Sequence, residues 1–296
     1  MVQSPVGLSA QTGSKHPGSL RFLVLGDWGR EGKDSQIPVA NSMAKQAKED
    51  QCDFVISTGD NFYEKGVSSV TDSQFKTSFE NIYSASSLHI PWYVALGNHD
   101  YLTNADIQVD YTQYSDRWKM PSRYFAVEQE VDDTTTALFI IIDTSPFITK
   151  YLQEDAKYHV KSQSITRQLL WLDSVLSHSK AKWKFAAGHH PIFSAAGTHG
   201  DTPELIDNVL PIFKKYHVQG YFCGHDHNLQ HLHDDGIETY LSGGGSRSRE
   251  DVTPRNDMLF GAASTGFLEV FLDAKSLTGK FYDSNDHVLN SSSLLR

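Results

Sequence analysis

Five apolar runs of the sequence end alike, in a glycine followed at once by a side chain that can bind a metal: Gly26-Asp27, Gly59-Asp60, Gly97-Asn98, Gly188-His189 and Gly224-His225. Two Asp, one Asn and two His, with no thiolate among them, suit hard or borderline ions such as Fe, Mn and Zn. A carboxylate offers two oxygens and can bridge two ions about 3.5–4 Å apart; such a pair clamps a phosphoryl oxygen and lowers the pKa of a bound water, supplying hydroxide for in-line attack. One Gly-Asp or Gly-His alone is an ordinary turn dipeptide. Five of them, each after a buried run, point to a single metal centre.

The stretch FCGHDHNLQHLHDDG adds a second pattern, two histidine pairs of identical spacing, His225 with His227 and His231 with His233. Only the first pair follows a glycine-tipped run. His231 and His233 lie further on, beside Asp234 and Asp235, and read as ordinary strand or surface histidines.

The elements that must position these groups are legible from their patterns. RFLVLGD, DFVISTGD, PWYVALGNHD, ALFIIIDT, KWKFAAGH and VQGYFCGH are short and apolar nearly throughout, as strands buried on both faces are. Residues 164–180 set Ile165, Leu169, Leu172 and Leu176 on one helical face, and Thr202-Pro203-Glu204 opens a helix running toward Tyr216. Alternating strands and helices predict an α/β fold with a largely parallel sheet through the first two thirds, and ligands then sit beyond the carboxyl ends of its strands. Residues 237–289 give strand-like runs without helices between them, which predicts a second sheet with antiparallel pairs. Residues 100–122 and 145–163 lack a clean period and are expected as surface loops framing a site.

Composition narrows the partners. The 296 residues carry a formal net charge of −10, which repels a phosphate backbone and an anionic membrane surface, so no nucleic-acid partner is expected. No run reaches the roughly 18 apolar residues of a membrane span. Cys52 and Cys223 sit in apolar runs without a CxxC pair and read as buried, inert thiols. Residues 1–18 are small and polar, without the basic and apolar regions of a signal peptide, and are expected as a flexible tail before one domain over 19–296.

The motifs GDWG at 26–29, GDNFY at 59–63, GNHD at 97–100, AAGHH at 186–190 and GHDH at 224–227 resemble, in order, the five motifs of the purple acid phosphatases, within the metallophosphoesterase superfamily. The likeness runs from about residue 20 to 290 and is to the small, single-domain plant and animal type. It implies two packed mixed β-sheets flanked by helices on both sides, the calcineurin-like metallophosphoesterase sandwich.

By the same resemblance Asp27, Tyr63 and His227 would hold a ferric ion, Asp60 would bridge, and Asn98, His189 and His225 would hold a divalent Fe, Zn or Mn. A ferric and a divalent ion, less two carboxylates, a tyrosinate and one hydroxide, leave a formal charge of about +1, which draws in a phosphate monoester despite the acidic surface. Tyrosinate on Fe(III) accounts for the colour of the family. His99 would bind phosphate and help stabilise the transition state, and His199 would face the substrate and protonate the leaving group.

The match is not complete. The ten residues from His189 to His199 are one more than the mammalian pattern, and His190 stands where tyrosine is usual there, which gives it a pocket-wall role. Asp100 and Asp226 flank the donors and are expected to orient them or to stay solvated; Trp28 packs beneath the site; residues 243–251 read first as a plain flexible loop, the alternative being one that brings backbone or Arg247 near the pocket.

The activity implied is an acid phosphatase acting on small phosphate monoesters, with phosphoproteins as a further substrate class and a metal-bound hydroxide as nucleophile. The resemblance also implies a monomer in a secreted, lysosomal or vacuolar location. Two alternatives stay open at this point: a phosphodiesterase or nucleotide-anhydride hydrolase on the same metals, and a non-catalytic binding protein of the same fold.

Overall fold

The computed structural model describes residues 16–249 and 252–296. The tail expected over 1–18 lies, for residues 1–15, outside the described residues. His16 is tied down, bridging to Ser19 and placing Nε2 3.1 Å from the Asp50 carbonyl.

Two seven-stranded sheets face each other. In the first, β1 (Ser19–Leu25), β2 (Phe54–Ser57), β3 (Trp92–Val94) and β4 (Trp118–Lys119) run parallel. The second runs on through β5 (Phe125–Asp132), β6 (Thr135–Ile141), β7 (Trp183–Ala187) and β8 (Gly220–Cys223), and is continued by β9 (Leu229–Asp234), β10 (Ile237–Ser242) and β11 (Met258–Ala262), with β6, β7, β8 and β10 parallel. The last strands, β12 (Gly266–Asp273), β13 (Ser276–Asp283) and β14 (Val288–Leu295), return to the first sheet, β12 antiparallel to β1.

The two mixed sheets implied by the family resemblance are found, while the pattern-based expectation of a largely parallel sheet followed by a second sheet with antiparallel pairs is corrected. Both sheets are mixed, and the parallel strands are divided between them. An apolar run encodes burial, not its hydrogen-bonding neighbour, and the β1–β12 pair joins Ser19 to Asp273 across almost the whole chain.

Aromatic side chains from both sheets interlock between them. Phe22 of β1 stacks on Phe54 at 4.8 Å and meets Phe139 of β6 and Phe222 of β8 edge-on at 5.2 and 5.7 Å. That packing holds the carboxyl ends of β1–β3 opposite those of β7 and β8. The helix Ile165–His178 covers the outer face of the second sheet through Leu172 and Leu176, with Ile165 and Leu169 partly buried as the periodicity predicts, and Ser164 caps it. The helix expected from Pro203 toward Tyr216 is two, Pro203–Asn208 and Leu210–Lys215, joined at Val209. Pro211 has no N–H to continue the first helix's ladder, which breaks it there.

Of the two aperiodic stretches, 145–163 consists of short helical turns whose Ile148, Lys150, Tyr151 and Tyr158 line a cleft. Residues 100–122 instead bury Tyr101, Tyr111 and Trp118 in the core. Cys52 and Cys223 are buried and form no disulfide. No helix among the described residues is long and apolar enough to cross a membrane.

Candidate metal centre

The five glycine-tipped strands do converge. Asp27, Asp60 and His225 leave their strands in the left-handed region, at φ 61°, 51° and 72°. Asp and His are among the non-glycine residues that tolerate this conformation, and such strain gathers at functional sites. The unusual dihedrals thus fall mainly on the donors themselves. The glycines before them serve for close approach: a Cβ on Gly97 would overlap the Asp60 carboxylate, and one on Gly224 would overlap Asp27 Oδ2.

Two groups of donor atoms result. In one, the Tyr63 hydroxyl lies 2.9 Å from Asp60 Oδ2, 3.0 Å from Asp27 Oδ1 and 3.2 Å from His227 Nε2, with His227 Nε2 3.4 Å from Asp27 Oδ1. In the other, His189 Nε2 lies 3.2 Å from Asn98 Oδ1, 3.1 Å from His225 Nδ1 and 3.6 Å from Asp60 Oδ2. Asp60 Oδ2 belongs to both. All seven donors expected from the sequence are brought together.

The surroundings orient them. His189 Nδ1 lies 3.0 Å from the Thr58 carbonyl, which can only accept, so Nδ1 donates there and Nε2 faces the site. Asp27 Oδ2 accepts from the His225 amide at 2.9 Å, and Asp60 Oδ1 from the His99 amide at 2.8 Å. Asp100 binds backbone rather than a ligand ring, accepting from the amides of Gly97 at 2.8 Å and Asn61 at 3.1 Å, which ties the Asp60 and Asn98 loops to each other. Burial, then the charge of Asp60, pushes its carboxyl up to about 7. Asp226 accepts from Ser194 Oγ at 2.6 Å and so fixes the loop after His190.

This donor set fits a pair of cations. One phenolic proton serves three acceptor-capable atoms, and burial, followed by Asp27 and Asp60, pushes the Tyr63 phenol well above its ordinary value. Burial tends to raise Asp27, but His227 and His189 outweigh it and hold the carboxyl below its usual range. Burial, then His190 and His189, pulls His225 far down, toward the neutral imidazole that a metal binds. Carboxylate oxygens and ring nitrogens crowded at 3.0–3.6 Å without enough protons are relieved by metal ions.

The two catalytic candidates flank the donors. The His99 ring lies 4.5 Å from that of Tyr63, donates from Nδ1 to the Glu64 carbonyl at 2.7 Å, and sets Nε2 4.0 Å from Asp60 Oδ2. His199, on a loop, sits with its ring 4.1 Å from that of His225; partial burial, then Arg249 and His189, lowers its pKa. Both face a cleft of about 380 Å³ that also exposes Asp60, Asn98, His225 and His227. His190 is a wall residue, its ring nitrogens 2.8 Å from Thr144 Oγ1 and 3.1 Å from the Tyr151 hydroxyl.

Some contributors escape the sequence reading. Arg30 is buried with its guanidinium 3.6 Å from the Tyr63 ring centroid, and it opposes the rise of the phenol pKa. Arg247 pairs with Asp34 at 2.6 Å, and Arg249 of the same segment lines the cleft, while residues 250 and 251 lie outside the described residues. Ser246 donates to the Asp27 carbonyl at 2.6 Å. No local signal marks Arg30 or Arg249, since their contacts are made by loops far apart in the chain. Trp28 packs as expected, buried against Phe62 and Tyr83.

A fold of two mixed sheets with donors at the carboxyl strand ends defines a calcineurin-like phosphoesterase, and the family model of that description matches residues 20–229. Purple acid phosphatase 3 of Arabidopsis thaliana is 41% identical over 293 residues, 94% of this chain and 78% of the relative. Tartrate-resistant acid phosphatase type 5 of Mus musculus is 33% identical over 298 residues, 94% and 91%. Among solved structures, GAP50, the anchor in the inner membrane complex of Plasmodium, superposes with a TM-score of 0.82 at 26% identity, over 94% of this chain and 89% of that one. The chain belongs to the purple acid phosphatases, a family built around a binuclear metal centre.

Proposed function

We propose that this chain hydrolyses phosphate monoesters, with Asp27, Tyr63 and His227 holding a ferric ion, Asn98, His189 and His225 a divalent Fe, Zn or Mn, and Asp60 bridging. The observation that carries this reading is the position of Asp60 Oδ2, 2.9 Å from the Tyr63 hydroxyl and 3.6 Å from His189 Nε2, within reach of both donor groups. Bound there, a metal pair supplies a nucleophilic water at low pKa and charge to neutralise the phosphoryl oxygens.

The chain's own residues do the rest. His99 Nε2, with its other nitrogen held by Glu64, is placed to hydrogen-bond a phosphoryl oxygen. His199 approaches from the opposite wall and donates a proton to the departing oxygen, a contribution worth about 10²–10⁴-fold for a leaving group that needs it. Tyr151, Tyr158 and His190 close the wall behind the leaving group. Residues 19–296 act as one unit and as a monomer, and the family resemblance supports a secreted, lysosomal or vacuolar location and phosphoproteins as a further substrate class.

A non-catalytic binding role, which the likeness to an anchor protein brings to mind, would leave donors free to be lost, and all seven positions carry one. The experiment that separates the hydrolytic readings compares kcat/KM on nitrophenyl phosphate and on the corresponding diester. Faster turnover of the monoester is expected. A faster diester reaction would reassign the chain to phosphodiesters, and no turnover of either by metal-loaded protein would favour the binding role.

A further inference from the structure

His199 stands on an exposed loop. Gly197 and Gly200 flank it, the latter at φ 73°, and the tip of the loop is exposed. What fixes the loop is its neck. The Ser194 amide donates to Asp201 Oδ1 at 2.9 Å, and Arg255 Nη1 donates both to that same oxygen at 2.6 Å and to the Ser194 carbonyl at 2.9 Å. One guanidinium nitrogen therefore joins the two ends of the segment that projects His199 into the cleft.

Arg255 is itself held on its far side. Its Nε donates to Asp257 Oδ1 at 2.6 Å and its Nη2 lies 3.5 Å from Asp234 Oδ2, at the start of β11 and the end of β9. The loop is thereby referred to the second sheet, the sheet that also carries His225 and His227. Adjacent backbone contacts, Thr253 amide to Ala195 carbonyl at 2.7 Å and Ala195 amide to Gln230 Oε1 at 2.7 Å, anchor only the start of the segment. At the other end the Thr202 amide donates to the Ile192 carbonyl at 3.2 Å, and Arg255 adds a side-chain tie from Asp201 to the second sheet.

We propose that Arg255 is a positioning residue for His199, setting through Asp201 and Ser194 how far that ring reaches toward the leaving group. The proposal rests on the reading of His199 as proton donor. A planar fork with donors at Nε and Nη1 is needed for this, and lysine supplies only a point charge.

The test measures kcat and KM of Arg255→Ala, Arg255→Lys, Asp201→Asn and His199→Ala on glycerol phosphate, whose alkoxide needs protonation, and on nitrophenyl phosphate, whose leaving group does not. His199→Ala is expected to lose about 100-fold in kcat on glycerol phosphate and far less on nitrophenyl phosphate. Arg255→Ala and Asp201→Asn should show the same selectivity at about 10-fold, with metal content and KM unchanged, Arg255→Lys falling between them and the parent. Combined with His199→Ala, Arg255→Ala should cost nothing further, because the two act through one group.

Equal losses on both substrates, loss of metal, or full additivity with His199→Ala would overturn the proposal. Asp201→Asn keeps an acceptor oxygen but removes the charge that Arg255 pairs with, so it weakens the clamp from the loop side and a poorly folding Arg255→Ala protein does not shelter the proposal. If His199→Ala shows no selectivity, the proton-donor reading falls and this proposal with it; if His199→Ala is selective and the clamp variants are not, this proposal alone fails.

Discussion

His225 with His227 and His231 with His233 share one spacing, yet they meet different fates within a dozen residues. The first pair lies in the turn after β8, where His225 at φ 72° breaks the alternation, so that the two rings diverge: Nδ1 of His225 goes to His189, Nε2 of His227 to Tyr63. The second pair lies in β9, where side chains two apart share a face. Both rings meet one carboxylate on the neighbouring strand, His231 Nε2 and His233 Nδ1 each 2.7 Å from an oxygen of Glu238, and His231 stacks on Tyr240 at 4.2 Å.

One turn therefore divides a pair between two donor groups, and a regular strand gives a pair to a single acid. The second cluster is satisfied by its own hydrogen bonds. The first has too few protons for its acceptors. Number of acidic partners and local backbone, rather than spacing, separate the two.

The comparison can be broken most sharply at the rings. Either His225→Ala or His227→Ala should lose metal and lower kcat by more than about 100-fold, since even groups that only orient a metal ligand are worth about 10–100-fold. His231→Ala should leave both metal content and kcat nearly unchanged; an equal loss there would erase the distinction. Glu238→Gln comes next, costing about 1–3 kcal/mol of stability by leaving the buried His231 ring poorly paired, with no change in metal content. Chemical denaturation together with metal analysis checks both halves.

The acid dependence is subtler. Burial tends to raise Glu238, but hydrogen bonds and charge from His231 and His233 outweigh it, so its folded pKa lies below the ordinary 4.5. A depressed carboxyl stabilises the fold above its unfolded value, and that contribution disappears as the pH falls through the folded value. The melting-temperature gap between the parent and Glu238→Gln should accordingly be full above pH 4.5 and close on further acidification. A gap that widens in acid would reverse the assigned sign. The smallest effect is expected for His233→Ala, about 1 kcal/mol or less, because the ring is 52% exposed and its ion pair is screened.

The same contrast explains what the sequence could tell. The candidate donors Asp27, Asp60, Asn98, His189 and His225 were legible because each directly follows a glycine-tipped buried run, with His227 two residues on, whereas Tyr63 came only from the family resemblance. His231 was expected as an ordinary strand or surface histidine; it lies in a strand but is buried, with Ser292 of the distant β14 3.1 Å from its Nδ1. The division of strands between sheets, the loop-tying role of Asp100 and the contact of Arg30 with Ser246, 216 residues apart, depend on long-range closure that no local pattern records. The break at Val209 was legible in principle, since Pro211 stands within the run that reads as one helix.

The central claim is that Tyr63 holds the ferric ion of a metal pair that Asp60 bridges, and it is tested most directly by metal analysis and the visible spectrum of purified parent and Tyr63→Phe protein. The account predicts iron with a second metal in the parent, a visible charge-transfer band, and loss of that band when the phenol oxygen is removed. A Tyr63→Phe protein that keeps the band, or a purified parent that binds iron without any colour, would contradict it.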